Sequence, residues 1–408
     1  KFRQTNKVSN SEQDRVNAIF KSMNQIEFIG KKSILNLKGI LNATKARKIL
    51  LVRGNESFKI SNAEKLLTPL LQDQLVKSIC YSGLNLTFDI VKNAWKEMSK
   101  FSPDIIISVG GGSVLDLGKV LSVINSEQPT LLEEILIHKK EISGKPLPLV
   151  AIPTTVGSGS ESTQFAVVYI EEKKYSFSHV NALPNYVILE PELVYNLPKS
   201  IIASSGLDTL TQAIESYWSV NSTKESSEYA KKAMELSVSN LENSYGHDFK
   251  ALENMQFAAN LSGKAINISK TTAVHAISYA LTSNFSIPHG FAVGCLLPRI
   301  FSYNSKVNHS NVNDPRGISF VKNKIQEINE IIGTESTKST ILLINNLIIN
   351  LGANDFLHKI EVIIQNELYS ISKGINPERL KNNPVKINPD DLYNVLKPEE
   401  SAYISNTF

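Results

Sequence analysis

The chain has 408 residues, 42% of them apolar, which is enough to bury large cores and long enough to divide into two or three domains. Its 43 basic and 39 acidic residues leave a net charge of +4 with no basic run that could track a phosphate backbone, so nucleic acid is not the expected partner. Two cysteines, Cys80 and Cys295, exclude a disulfide framework and a CxxC-type zinc or redox motif, and no apolar stretch reaches the roughly 18 residues that span a bilayer.

The opening KFRQTNKVSNSEQDR carries no apolar run of a secretory signal, which makes the cytoplasm the expected location. Short β-branched runs then alternate with helical segments, the pattern of a parallel sheet flanked by helices. KILLVRG (48–54), DIIISVGGG (104–112) and PLVAIPTT (148–155) read as buried strands that run into turns. VVYIEEKKYSFSH (167–179) reads as two antiparallel strands around a charged turn, and NYVILEPELVYNLP (185–198) closes the sheet region. After Pro198 the pattern changes to amphipathic helices over 200–219, 224–244, 249–268, 271–283, 318–333 and 336–351. The expected division is an α/β nucleotide-binding domain over 1–197 and an all-α domain over 198–408. The Asn- and Ser-rich region 302–313 reads as an exposed connection, and the tail from 352 is mixed.

Two loops at the carboxyl ends of strands carry ligand chemistry. SVGGGSVLDLGK sets Gly110, Gly111, Gly112 and Ser113 before a helix that continues through Asp116 and Lys119. Glycines let a ligand approach the backbone and the free N–H groups of a helix start attract phosphate, although a tight turn without ligand has the same composition. IPTTVGSGSE (152–161) adds the hydroxyls of Thr154, Thr155, Ser158 and Ser160, suited to a phosphate or to a nicotinamide amide. Two such loops imply a crevice.

In GLDTLTQAIES, Asp208 and Gln212 stand four apart and face the same side of a helix. His275 and His289 are 14 apart, about 21 Å along one straight helix, so they can share an ion only if the chain folds back between them. Asn284, Ser286 and Pro288 supply the break.

GGGSVLDLGK, IPTTVGSGSE, GLDTLTQAIE and VHAISYALTSNFSIPHG, in this order and at these separations, resemble the iron-dependent (group III) alcohol dehydrogenases. The resemblance runs from about residue 25 to residue 300, with a weaker match at KNNPVKIN. It implies a nucleotide-binding α/β domain and a helical domain, an architecture shared with dehydroquinate synthase, with one divalent ion in the cleft between them. The implied ligands are Asp208, Gln212, His275 and His289, with Fe2+ as the first choice and another divalent ion as the alternative. Gln212 stands where most members have His, and an amide oxygen is a harder and weaker ligand than imidazole. Tyr279 stands where many members have a second His, and it can relay a proton or pack beside the cofactor.

The wording TQAIESYWSVNSTKES, GKAINISKTTAVHAISYALTS and NDPRG is most similar to phosphonoacetaldehyde reductases, whose reaction yields 2-hydroxyethylphosphonate. A phosphonate needs basic groups and amide donors. Asn267, Lys270, Thr271 and Thr272, just before His275, are the candidates, with Arg299 and Arg316 behind them; a lone Lys270 also reads as a solvated cation. Family members that prefer NAD commonly have Asp where Gly54 stands, so Gly54, with Asn55 and Ser57 as donors, implies NADPH over NADH. The competing expectations are a reductase of another small hydroxy- or carboxy-aldehyde, a sugar-phosphate cyclase, and a nucleotide-binding protein without catalysis. The expected partners are a small aldehyde and no membrane; a homodimer is compatible with the sequence.

Overall fold

The computed structural model describes residues 25–83, 85–124, 133–135, 145–171, 173–375, 377–388 and 392–396; the opening KFRQTNKVSNSEQDR lies outside them. The first half runs β1 (Ile26–Ile29), α1 (Asn36–Thr44), β2 (Lys48–Gly54), α2 (Glu56–Ile60), α3 (Ala63–Leu67), β3 (Leu75–Tyr81), α4 (Phe88–Phe101), β4 (Ile105–Gly110), α5 (Gly112–Val123), β5 (Leu149–Pro153), β6 (Phe165–Ile170), β7 (Lys173–Ser178) and β8 (Tyr186–Leu189). The apolar runs become central strands because both faces of the sheet are covered. Leu50, Val52 and Ile106 pack with Val91 and Leu117 of α4 and α5. Ile49, Leu51, Ile105 and Ile107 pack on the opposite side with Leu37, Phe58 and Ala63 of α1, α2 and α3.

All six strands of this sheet pair in parallel, in the order β3-β2-β4-β5-β8-β1. The chain leaves β2 for β3 on one side, returns across it, and continues from β4 to β5 on the other. The carboxyl ends of β2 and β4, Gly54 and Gly110, therefore border the point where the winding reverses, and there an open α/β sheet leaves a crevice. The two strands expected around the charged turn form the antiparallel hairpin β6–β7.

From Lys199 the chain is helical: α6 (Lys199–Trp218), α7 (Lys224–Tyr245), α8 (Phe249–Ser269), α9 (Ala273–Phe285), α10 (His289–Ser305), α11 (Ile318–Ile332), α12 (Thr337–Asn350), α13 (Asn354–Asn366), α14 (Leu368–Gly374), α15 (Pro377–Leu380) and α16 (Leu392–Leu396). Their apolar stripes meet in one core around Leu210, Met234, Ile277, Leu296 and Ile344. Only the start of the 302–313 region departs from its reading as an exposed connection: α10 continues to Ser305, and buried Asn304 exchanges amide hydrogen bonds with buried Asn383, while Lys306 and 308–310 are exposed. Apolar burial of the helix overrides its polar composition there. The late KNNPVKIN segment (381–388) pairs with the 311–314 stretch, including a bridge between Val312 and Val385. Among the described residues no single helix is long and apolar enough to cross a membrane.

The two halves are welded along α8. Gly159 has φ +58°, and a Cβ there would lie 2.5 Å from the Ala259 carbonyl oxygen and 2.6 Å from Gly263 Cα, so only glycine lets this loop touch the helix. Beside it the Lys264 ammonium pairs with the Glu27 carboxylate of β1 at 2.6 Å, both buried. Burying such a pair gains little, but removing one partner strands a charge. Lys264→Met should therefore destabilise the protein by about 3–5 kcal/mol, and adding Glu27→Gln should recover part of the loss; thermal or urea unfolding of the single and double variants checks both.

Candidate functional site

The crevice at the winding reversal is a cleft of about 500 Å³. Gly111, Gly112 and Ser113 of the glycine loop, Gly54, Asn55 and Ser57 after β2, and Thr154 and Thr155 after β5 line it together. Gly111 caps α5 without a side-chain hydrogen bond, so the first backbone N–H groups of this 12-residue helix are open to an anion. The buried Thr154 Oγ1 has no hydrogen-bond partner among the described residues. An orphaned hydroxyl in a cleft with a helix start fits a dinucleotide.

Four cofactor candidates behave differently. Ser158 Oγ accepts from the Ser160 amide at 3.3 Å. Lys119 is completely buried and points away from the crevice: its ammonium donates to Ser160 Oγ (2.7 Å), Thr163 Oγ1 (2.9 Å) and the Phe165 carbonyl (2.7 Å). Asp116 accepts from Ser160 Oγ at 2.6 Å and from the Val167 amide at 2.9 Å. The expectation that Asp116, Lys119 and Ser160 face the cofactor is corrected: they tie α5 to the second loop and to the hairpin, because a buried ammonium must find internal acceptors.

On α6, whose Thr209 hydroxyl donates to the Val156 carbonyl just after the cleft-lining Thr154 and Thr155, Asp208 meets the two histidines: ligand atoms of Asp208, His275 and His289 lie within 4.8 Å of one another. His275 Nε2 is 3.2 Å and His289 Nε2 3.8 Å from Asp208 Oδ1. The fold-back between the histidines forms where the sequence breaks: α9 ends at Phe285, Ser286 takes φ 54°, and Pro288 leads directly into α10 at His289. A Cβ on Gly290 would sit 1.7 Å from the Ser204 carbonyl oxygen, so glycine at this position lets the start of α10 press onto α6 and bring His289 to Asp208. Two imidazoles and a carboxylate converging at these distances fit a divalent transition-metal ion. Desolvation lowers the His289 pKa to about 3, which keeps the ring neutral and its Nε2 lone pair available; its Nδ1 has no partner among the described residues. Burial alone would raise the Asp208 pKa, but His289, His275 and the Gln212 amide outweigh it and the carboxyl stays ionised.

The residue that organises the cluster is Glu215, absent from the sequence reading. It is completely buried, seven residues after Asp208 on the same helix. Its carboxylate accepts from the backbone amides of Val274 (2.7 Å) and Thr272 (3.1 Å), from Thr272 Oγ1 (2.7 Å), and pairs with His275 Nδ1. The Nδ1 contact fixes the tautomer that leaves His275 Nε2 free toward Asp208. Its spacing of seven from Asp208, two turns along the same helix face, was the available signal, since a buried carboxylate must be paired.

Gln212 is buried beside Asp208 and hydrogen-bonds it. Its Oε1 lies 3.0 Å from Ser262 Oγ, which is also 2.9 Å from the Ala259 carbonyl. One hydroxyl proton fully serves only one of these acceptors. With the amide turned over, Nε2 donates to Ser262, Ser262 donates to Ala259, and Oε1 faces the Asp208 side, an arrangement that requires a cation between the two oxygens. Ser262 accommodates both orientations.

The segment before His275 divides. Thr272 is spent inside, bonded to Glu215 and accepting from Trp218 Nε1 at 2.9 Å, which corrects its reading as a substrate contact. Asn267 Oδ1 accepts from the Gln164 amide at 2.9 Å, and Thr271 Oγ1 accepts from Arg379. Lys270 has φ 64° and ψ 168°, a region reserved in practice for glycine that costs about 1–3 kcal/mol, and the Glu215 bonds hold the next turn in place. Its ammonium lies 3.6 Å from the Phe165 ring centroid. Arg299 pairs with Glu361 and the Leu396 carbonyl, and Arg316 with Asp314 and Ser219, so both are structural. Tyr279 stacks with His289 at 6.5 Å, and Lys174, which the sequence did not single out, sits 3.5 Å above the Tyr279 ring.

The model for iron-containing alcohol dehydrogenases matches residues 25–191, and the model for the C-terminal domain of that family matches residues 202–399. A phosphonoacetaldehyde reductase of Streptomyces viridochromogenes is 30% identical over 264 residues, covering 62% of this chain and 67% of that one. Aldehyde-alcohol dehydrogenase 2 of Entamoeba histolytica is 35% identical over 221 residues, and there this chain spans only 25% of the relative's length. The crystal structure of a sulfoacetaldehyde reductase from Bifidobacterium kashiwanohense in complex with NAD+ superposes with a TM-score of 0.80 at 26% identity, covering 92% of this chain and 96% of that one.

If Glu215 fixes the His275 tautomer, Glu215→Gln should weaken binding of Fe2+ or Zn2+ by about 10- to 100-fold. Titration of the metal-free protein against a competing chelator measures this, and unchanged affinity would remove Glu215 from the role.

Proposed function

The chain belongs to the iron-containing alcohol dehydrogenase family, and from that premise we propose that it is a metal-dependent, NADPH-using reductase that converts phosphonoacetaldehyde to 2-hydroxyethylphosphonate. The observation that carries the reading is a set of converging side chains suited to an ion, Asp208, His275 and His289, on helices tied through Thr209 to the loop after the cleft-lining Thr154 and Thr155, with a cationic group, Lys270, in the segment leading into His275. The phosphonoacetaldehyde reductase and sulfoacetaldehyde reductase among the similar proteins support an aldehyde with an anionic end.

Asp208, Gln212, His275 and His289 would hold the ion, and the glycine loop with Thr154 and Thr155 would hold the cofactor. When bound, a divalent ion supplies Lewis acidity at the aldehyde oxygen and a nicotinamide supplies the hydride. The protein's own contribution is position and charge. Glu215 keeps His275 in one orientation, Phe165 and Tyr279 give the pocket apolar walls, and Lys270 attracts the anionic end. Burial raises the Tyr279 phenol, so it keeps its proton through the working pH range, and protonation of the product oxygen falls to water or to this hydroxyl.

The cofactor preference rests on Gly54. It sets no carboxylate at the end of β2, while Asn55 and Ser57 offer donors to a 2′-phosphate. Glu56 lines the same end of the cleft and opposes that phosphate. NADPH is expected to give the higher kcat/KM, and Glu56→Gln should widen the ratio to NADH; a wild-type preference for NADH refutes this part of the reading.

The whole proposal is tested by NADPH oxidation with phosphonoacetaldehyde beside propionaldehyde and lactaldehyde, with Fe2+ and after chelation. A kcat/KM for the phosphonate about 10- to 100-fold above that for propionaldehyde is expected from charge-assisted recognition, with activity lost on chelation. Equal rates on neutral aldehydes would leave a general aldehyde reductase, and activity surviving chelation would remove the metal.

A further inference from the structure

Two cations from distant parts of the chain meet at Tyr279, and a third stands next to Thr271, which one of them bonds. Lys174 comes from the β6–β7 hairpin, Lys270 from the end of α8, and Arg379 from α15 near the C-terminal end. Lys174 Nζ is 3.5 Å and Arg379 Cζ 5.8 Å from the Tyr279 ring centroid, and that ring stacks on the candidate metal ligand His289. Arg379 also donates to Thr271 Oγ1, adjacent to Lys270. No carboxylate lies within ion-pair distance of Lys174 or Lys270 among the described residues, although both ammonium groups are withdrawn against aromatic faces.

Like charges gathered this closely repel one another unless an anion comes between them. The fold makes the comparison directly, because the two lysines it buries outright have strong acceptors, three oxygens for Lys119 and the Glu27 carboxylate for Lys264, whereas the half-buried Lys270 donates to the Asn267 carbonyl at 3.2 Å. We propose that Lys174, Lys270 and Arg379 form one recognition site for the phosphonate end of the substrate, and that Lys174 and Arg379 read its second negative charge. The inference rests on the aldehyde-reductase reading above and deepens it.

The wall borders the metal cluster through the Tyr279–His289 stack, so a two-carbon aldehyde has its carbonyl end and its anionic end gripped together. Three cations match a dianionic phosphonate better than a monoanionic sulfonate or carboxylate, and Arg379 offers the planar fork that suits a phosphonate's oxygens. The electrostatics agree with this placement. Burial first and Arg379 next lower Lys174 to about 7 and Lys270 to about 8, and Lys174 and Arg379 both act on His289.

The test measures kcat/KM of the Fe2+-loaded enzyme for phosphonoacetaldehyde, sulfoacetaldehyde and propionaldehyde, and the Ki of 2-hydroxyethylphosphonate against propionaldehyde. Lys174→Met and Arg379→Gln should each lower the phosphonoacetaldehyde-to-propionaldehyde ratio by about 10- to 100-fold, the size of a lost charge-assisted hydrogen bond, and raise the Ki to a similar extent. The sulfoacetaldehyde ratio should fall less. Lys174→Arg should restore most of the ratio, and Lys232→Met, which removes an exposed charge on α7, should leave it unchanged. Thermal melting identifies any variant that fails to fold, in which case the Lys174→Arg and Arg379→Lys pair carries the comparison.

A wild type that prefers phosphonoacetaldehyde while its ratio and Ki ignore Lys174 and Arg379 overturns this site but leaves the proposed function standing. A wild type that shows no preference and no inhibition by 2-hydroxyethylphosphonate overturns both.

Discussion

A single buried carboxylate holds the centre of this protein together. Glu215 has no solvent, so its oxygens must be satisfied from within, and the donors they find are the Thr272 and Val274 amides, the Thr272 hydroxyl and His275 Nδ1. Those bonds fix the start of α9 relative to α6. They also decide which nitrogen of His275 is free, and they brace the turn that forces Lys270 into a backbone conformation it would not adopt alone. The orientation of His275, the entry of α9 and the position of Lys270 thus depend on one interaction.

The second constraint is close approach. The crevice lies where the parallel sheet reverses its winding, and the ion-binding cluster lies on helices of the other half, so neither works unless the two halves are tightly apposed. Gly159 supplies that apposition between the hydroxyl loop and α8, and Gly290, within the helical half, lets α10 press onto α6. The buried Lys264–Glu27 pair adds orientation to the same seam, since an ion pair out of water tolerates few geometries.

Charge is sorted by whether it has a partner. Lys119 and Lys264 are buried and satisfied, and they tie elements together. Lys174 and Lys270 are held against aromatic rings with their electrostatic demand unmet by any neighbouring carboxylate among the described residues. The same side chain therefore ties elements together in one place and lies against an aromatic face in another, and the difference is invisible until the neighbours are known. Arg299 and Arg316 illustrate the reverse case, cations near the motifs in sequence whose partners are carboxylates and carbonyls.

Periodicity set out six of the seven helices from Lys199 to Asn350, α10 (His289–Ser305) being the one it left out, and the central strands, to within a residue or two, because each buries a regular apolar face that leaves a local mark. The break between His275 and His289 was legible for the same reason, in Ser286 and Pro288. Sequence could also nominate Asp208, Gln212, His275 and His289, and the crevice residues Gly54, Gly111, Ser113 and Thr154, because these sit in short, chemically distinctive strings. It could not separate Lys119 or Thr272, turned inward to buried acceptors, from neighbours that face the cleft, since one residue of helical phase decides between them. Nor could it find Glu215 as the partner of His275, 60 residues away, or bring Lys174 and Arg379, 205 residues apart, to one aromatic ring. Those contacts are set by how α6, α9, the hairpin and the C-terminal turn pack, and packing is a property of the assembled chain rather than of any segment of it.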